Sequence, residues 1–335
     1  MAVSQIDPNG LNVGQLGGSR NMVINGAMEV AQRGTSATAG GYVSLDRWLY
    51  NTSGGSGTFS QETNANPSET DGIRTYARVN ISSSSDYTGL IHRIEDVTKV
   101  KSGTVTLSFW AKGTAPVGGL YLFCTQDFGT SGSADVDISG ILITSTLTSS
   151  WVKYETQVTI PSVDGKTINA GSFFSLAIMQ GTNTSSTAYD LNITGVQLEV
   201  SPTGEATPFE HENYGTTLAK CQRYYERLNG PAGWYNAHGY ATNIYLVIEW
   251  KVPKRTASGS VYYSNTNFAS MITAYGNTGG SSAIDGVITG VSTSIMGVTA
   301  LGLDVALSAS TYTPFGSSVM YRLDASHWIA YDAEL

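Results

Sequence analysis

The densest set of side chains able to recognise a ligand lies in the run GWYNAHGY, where Trp234, Tyr235, Asn236, His238 and Tyr240 crowd together. Aromatic faces stack on the C–H surfaces of sugars, and nearby amides and imidazoles bond the hydroxyls. Placed between Gly233 and Gly239, the run reads as a loop or a sheet edge, and the chemistry it offers is sugar binding. The same side chains would also serve to pack a core or an interface between copies of the chain. The run Glu210-His211-Glu212 carries an imidazole between two acids. Acid–base work needs groups that meet in space, and no third residue can be named, so it reads as a polar connector. Glycoside hydrolysis needs two carboxylates at a defined separation. No convincing pair stands out, so no enzyme activity is expected; a polysaccharide depolymerase is the alternative. Asp46-Arg47 reads as a local ion pair or turn contact, and Lys254 and Arg255 as solvated. Cys124 and Cys221 are the only cysteines and read as buried free thiols. No Cys/His cluster has zinc spacing.

The elements that must position these residues are nearly all strands. After Gly54 the chain runs in short apolar–polar alternations with turn chemistry between them. The candidates are residues 58–62, 74–79, 88–94, 105–111, 119–124, 140–144, 151–160, 172–179 and 191–200. TVTLSFWAK (104–112) is the clearest, with Val105, Leu107 and Phe109 on one face. Trp48, Trp110 and Trp151 lie in or beside strand patterns and read as core. Residues 21–50 read as strand, tight turn at Asn25-Gly26, strand, loop, strand. Antiparallel strands of this length with little helix between them predict a two-sheet jelly roll over 21–213.

One helix is expected, over 214–231. Leu218, Cys221, Tyr225 and Leu228 recur at three- and four-residue spacing, Thr216 or Thr217 caps the start, and Asn229-Gly230-Pro231 stops it. The stripe would pack within the chain or against copies of itself. Residues 232–335 read as a second, smaller β domain, with strand candidates at 244–250, 260–263, 286–292, 294–303, 305–308, 319–323 and 328–331. The fold class is therefore all-β: a jelly-roll sandwich, a short linker helix and a smaller C-terminal β domain. Residues 1–20 carry four glycines and scattered apolar residues, and read as an arm that orders on a partner.

Composition excludes several classes. The formal net charge is −8, charged residues are 13% of the chain, and no basic run occurs, which argues against nucleic acid. No run approaches the length needed to span a membrane. The start of the chain has neither a charged segment nor an apolar one of secretory type, so export by a signal peptide is not expected.

The motifs NMVINGAMEVAQRGTS (21–36), SLDRW (44–48), ITGVQLEV…ATPFEHENYGTTLAKCQRYYE (193–226) and YDAEL (331–335) resemble a family of bacteriophage fibre proteins, of the tail-fibre type found in phages of marine bacteria. The resemblance covers the first domain, the helix and the last residues. It implies a carbohydrate-binding-module-like jelly roll followed by a variable β domain, carried on a virion tail or head as a homotrimer. It further implies docking to other virion proteins through residues 1–20 and contact with a host-surface glycan. Jelly-roll modules of this kind often hold a structural Ca²⁺, and the matching positions here are Glu29 and Asp190. No other cofactor is expected.

Overall fold

A computed structural model describes residues 20–335 apart from 54–55, 84–85, 181–187, 201–204, 231–234, 241–242, 265–271, 276–280, 284–287, 296–297, 299, 308–317 and 324–326. The arm expected at 1–20 thus lies almost wholly outside the described residues. The chain forms two compact units, Met1–Thr217 with Leu335, and Leu218–Glu334. It is an all-β chain with one short helix and a smaller C-terminal β unit. Among the described residues no helix is long and apolar enough to cross a membrane.

The first unit is a sandwich. Its strands are β1 (Ser36–Ala37), β2 (Trp48–Ser53), β3 (Gly57–Thr63), β4 (Thr75–Ile81), β5 (Asp86–Ile94), β6 (Gly103–Gly113), β7 (Leu120–Asp127), β8 (Val136–Thr144), β9 (Val152–Ile160), β10 (Phe173–Gln180) and β11 (Tyr189–Val200). One sheet has the order β1-β3-β4-β11-β6-β9 and the other β2-β5-β10-β7-β8, with antiparallel neighbours throughout. Strand alternation sends one side chain in two to the centre. From β4 these are Ala77, Val79 and Ile81, from β6 Val105, Leu107, Phe109 and Ala111, and from β7 Leu120, Leu122 and Cys124. Trp48, Tyr50, Phe59 and Phe174 fill the space between the sheets with no exposed surface. Each such side chain stabilises the fold by about 1.5–3 kcal/mol on burial. Neither cysteine is in a disulfide, both are buried, and burial pushes the Cys124 thiol up to about 12.

The segment before β2 departs from expectation. Residues 21–31 form turns, not two strands, because the backbone bonds inward to side chains. Asn25 Oδ1 accepts from Glu29 N (2.8 Å) and Val30 N (3.0 Å), and its Nδ2 donates to Val30 O (2.9 Å) and Asp46 O (3.0 Å). Asn25 and Met28 take positive φ, 61° and 59°. Asp46 and Arg47 are fully buried, not an exposed pair. The Asp46 carboxylate accepts from Gln32 N at 3.0 Å and lies 3.7 Å from Arg33, while Arg47 donates to Arg93 O.

His92 sits under this segment, buried, edge-on to Trp48 at 5.1 Å, with Nε2 3.2 Å from both Ile24 N and Ile24 O. Burial, reinforced by the Arg47 charge, lowers its pKa well below 6.5. The unfolded chain therefore takes up a proton that the folded chain refuses. Stability is full above about pH 6.5 and falls as pH drops below it towards the folded-state value, by about 1.4 kcal/mol per pH unit. A His92→Gln variant should flatten the acid limb of a stability-versus-pH curve by one proton, measured by urea unfolding at stepped pH.

The last strand of the sandwich changes face midway. Leu191 and Ile193 point inward at odd positions, Val196 and Leu198 at even ones, and all four are buried. An irregularity between Thr194 and Gln197 reconciles the two. It turns at Gly195, whose φ is +62° and whose added Cβ would lie 2.8 Å from Ile73 and 3.1 Å from Trp110. Gln197 and Glu199 consequently stand on the outer face, and the chain leaving β11 folds back over them. Glu199 Oε1 accepts from Thr207 N (2.8 Å) and Gln197 Nε2 (2.9 Å), and Oε2 accepts from Thr207 Oγ1 (2.7 Å). Gln197 Oε1 accepts from Glu210 N (2.8 Å). Glu210 Oε2 then accepts from Asn21 N (2.7 Å), and Arg20 donates to Pro208 O (2.8 Å).

The helix, α1 (Tyr214–Gln222), is shorter than the apolar spacing predicts. Asn213 caps it, its side chain accepting from Gly215 N (2.9 Å) and its carbonyl from Thr216 N (2.9 Å). The chain is already strand at β12 (Tyr225–Asn229), so Tyr225 and Leu228 belong to a sheet and not to a helical stripe. Pairing with β21 (Trp328–Asp332) won over helix propensity.

In the second unit, β12 and β15 (Ser260–Tyr263) flank β21. A seven-stranded sheet is built from β13 (Tyr235–Tyr240), β14 (Asn243–Glu249), β16 (Ile272–Tyr275), β17 (Ser281–Ala283), β18 (Ile288–Ile295), β19 (Ala300–Leu307) and β20 (Ser318–Leu323), in the order β17-β16-β20-β13-β14-β19-β18. Lys254, read from the sequence as solvated, is 2% exposed. Its ammonium meets Glu226 at 2.6 Å and lies 5.1 Å from the Trp250 ring. Arg255 donates to Ala333 O (2.7 Å) and Glu334 O (3.1 Å).

Candidate functional site

The outer face of the six-stranded sheet carries rows of polar and aromatic side chains. Alternation along β3 places Ser60 and Glu62 there, along β4 Tyr76, Arg78 and Asn80, along β11 Asp190 and Asn192, and along β6 Trp110 and Lys112. Ladder register aligns them in rows: Ser60 beside Arg78, Arg78 beside Asn192, Asn192 beside Lys112. The returning segment 205–213 covers the other half of this face at Gln197 and Glu199, so these rows form the open half.

A cleft of about 400 Å³ opens at the β1–β3–β4 side, lined by Ser36, Thr58, Ser60, Glu62, Arg78 and Asn80 among others. Arg78, on its wall, makes a two-pronged ion pair: its Nε and Nη2 each donate to an Asp190 carboxylate oxygen at 2.9 Å. The bond to Asp190 raises the Arg78 pKa. Both side chains remain partly exposed, 39% and 33%, so the guanidinium's remaining N–H groups and the carboxylate's remaining lone pairs stay open to solvent beside the cleft. Ser60 Oγ donates to Glu62 Oε1 at 2.7 Å. Beyond the ion pair the face turns aromatic. Tyr76 and Trp151 meet edge to face at 5.4 Å, Lys112 Nζ lies 4.7 Å from the Trp151 ring and 5.5 Å from that of Tyr76, and Trp110 Nε1 donates to Asp71 at 3.0 Å. Burial, then the Glu62 charge, raises the Tyr76 phenol, which keeps its hydroxyl as donor and acceptor. Hydroxyls, an amide, a guanidinium–carboxylate pair and aromatic faces in one strip suit a polyhydroxylated ligand.

The residues singled out from the sequence fall differently. Tyr235, Asn236, His238 and Tyr240 lie on β13, paired on both sides by β14 and β20, so the run is an interior strand and not a loop or an edge. A two-sided ladder, which a sequence of glycines and aromatics does not announce, overrides the loop reading. Trp234 and the side chains of this strand lie outside the described residues. Glu29 lines a small cavity of about 30 Å³ with Asn21, Asn25, Glu210, His211 and Glu212. Burial raises its carboxyl, with His211 opposing. Asp190 is bound to Arg78 and lines neither this cavity nor a common one with Glu29. Among the described residues no three His, Cys, Asp or Glu side chains are grouped to hold a metal. The residues therefore do not fit the calcium site that Glu29 and Asp190 would form. Trp48 is core, and Trp151 is 8% exposed at the rim of the strip. Trp110, read as core, stands on the outer face, because residue 110 has the opposite parity to Phe109. Tyr76 and Arg78 are signalled by the polar alternation in TYARVNI, and Lys112 by that in TVTLSFWAK.

The other sheet's outer face carries Tyr121 stacked on Phe123 at 6.1 Å and Leu142 at 50% exposure. Its Thr125 and Asp137 side chains bond each other at 2.8 Å. It offers apolar contact with little unspent polarity.

No protein-family model matches the chain, and no curated protein is significantly similar to it. Solved structures similar to it include the enzymatically active domain of tailspike protein 4 of bacteriophage CBA120, at 14% identity over 54% of this chain and 22% of that one, with a TM-score of 0.34. Another is the family 11 carbohydrate-binding module of the cellulase Lic26A-Cel5E of Clostridium thermocellum, at 16% identity, 53% of this chain, 98% of that one and a TM-score of 0.30. A third is TmCBM61, solved with β-1,4-galactotriose, at 12% identity, 55% of this chain, all of that one and a TM-score of 0.29. The chain spans less than a quarter of the tailspike protein. No functional inference rests on likeness at this level.

Proposed function

We propose that this chain is a structural component of a bacteriophage virion fibre, and that its sandwich binds a cell-surface saccharide on the open half of the six-stranded sheet. The observation that carries the binding is the cleft walled by Arg78, with its ion pair to Asp190 and the Tyr76–Trp151 aromatic strip on the same face. The virion setting is supported by the motifs at 21–36, 44–48, 193–226 and 331–335. In this reading the protein is a homotrimer, joins other virion proteins through residues 1–20, acts without catalysis, and meets the host before the genome is delivered.

The test is a glycan array probed with the full purified chain, with light scattering on the same sample. Saccharide binding that survives Phe123→Ala on the opposite face and is lost on changing the cleft supports the reading. A trimer mass supports the fibre assignment. Binding to no glycan, or binding indifferent to the cleft, overturns the adhesive role. Release of reducing ends from a bound polysaccharide overturns its non-catalytic character.

A further inference from the structure

We infer that the saccharide bound on this face is acidic, and that its carboxylate is received by Lys112. This deepens the saccharide-binding reading and rests on it. Donor accounting across the open half of the sheet supplies the argument. Each acid there has a donor of its own: Asp190 is held by Arg78, Glu62 by Ser60, Asp71 by Trp110 and Glu155 by Lys153 at 3.3 Å. Among the described residues no carboxylate pairs with Lys112. Its ammonium is instead held in place by the rings of Tyr76 and Trp151, at 5.5 and 4.7 Å. Contact of this kind fixes a cation through the ring quadrupole but uses none of its N–H donors. The Trp151 indole N–H beneath it has no acceptor among the described residues either, and adds an uncompensated positive edge. That nitrogen is covered, so the ammonium is the donor a ligand reaches.

Position completes the case. Arg78, Asn192 and Lys112 are successive partners across β4, β11 and β6. The Arg78 and Lys112 backbones are thus two strand spacings apart, about 10 Å. A chain of two linked sugar rings lying across the strands would place hydroxyls at the Arg78–Asp190 fork. Its next ring would then stand beside the Tyr76–Trp151 edge with a carboxylate at Lys112. A uronic or ulosonic acid unit has that carboxylate on the ring; a neutral hexose has only a hydroxymethyl or hydroxyl there, which an ammonium rewards far less.

The experiment uses matched probes. Oligogalacturonate, oligoguluronate and oligosialate, each beside its carboxyl-reduced neutral form, are titrated into the full chain by calorimetry, with wild type, Lys112→Met and Arg78→Ala compared. The expected result is that at least one acidic probe binds, that carboxyl reduction weakens it about tenfold or more, and that Lys112→Met erases the preference between the acidic and the reduced form. Raising salt should weaken the acidic probe and leave the neutral one. Equal binding of acidic and reduced forms, or a Lys112→Met protein that retains the preference, overturns the inference and leaves the saccharide-binding reading standing. Binding of neither form, together with a blank glycan array, overturns both.

Discussion

Replacing Glu199 with alanine should destabilise the sandwich by about 2–3 kcal/mol, because the part-buried donors of Thr207 lose the charged acceptor that holds the returning segment. Glu199 is 1% exposed, and it takes bonds from Thr207 N, Thr207 Oγ1 and Gln197 Nε2, with Arg20 at 3.3 Å. Removing the carboxylate strands the Thr207 backbone N–H, whereas the Gln197 amide keeps Thr207 and Pro208 oxygens at 3.2–3.4 Å. The nearby ion pair with Arg20 adds less, because the arginine is 38% exposed and screened by solvent. Urea unfolding followed by tryptophan emission would measure the change. Glu199→Gln should cost less than half as much, since its carbonyl still accepts from Thr207. Limited proteolysis should cut the alanine variant first between residues 205 and 213. An alanine variant within about 1 kcal/mol of wild type would show that the segment is held by other contacts.

Replacing Arg78 with alanine should weaken saccharide binding about a hundredfold, or about 2.7 kcal/mol. The guanidinium holds Asp190 with two bonds of 2.9 Å, so its loss removes a donor fork and leaves the acceptor beside it unoriented. Both groups are already partly solvated, so folding should change little, by under about 1 kcal/mol. Binding and stability are thereby separated: the Glu199 variant lowers stability first, and the Arg78 variant lowers affinity alone. Arg78→Lys should recover only part of the affinity, because an ammonium cannot present two parallel donors. Titration of the full chain with whichever array saccharide binds would read this. Undiminished affinity in the alanine variant would remove the cleft from consideration.

The sandwich was legible because its strands alternate. The polar and apolar positions of TVTLSFWAK and WVKYETQVTI predict their faces, and both became adjacent strands of one sheet. Trp110 was misjudged although the same alternation carries it outward with Ser108 and Lys112; aromatic identity outweighed parity. The parity change in β11 was also present, in Leu191 and Ile193 against Val196 and Leu198. Without a partner strand, however, a bulge at Gly195 cannot be told from a break. The turns of 21–31 escaped because they are set by one side chain, Asn25, bonding groups distant in sequence. The cleft escaped for the same reason: Arg78 and Asp190 are separated by 112 residues. The helix was overextended because Tyr225 and Leu228 continue its spacing, and only pairing with residues near 330 reveals them as strand.

The returning segment also has a mechanical meaning. Arg20 and Asn21, where the described chain begins, bond directly to Pro208 and Glu210. Met22 N further donates to Leu198 O at 2.9 Å. Entry and exit of the sandwich are thus stitched together. A pull applied at residue 20 and at residue 213 is borne by that short seam, and the two sheets between Ala37 and Val200 hang beside the line of force unstretched. Under tension the outer face of the six-stranded sheet would keep its shape while the chain on either side carried the load.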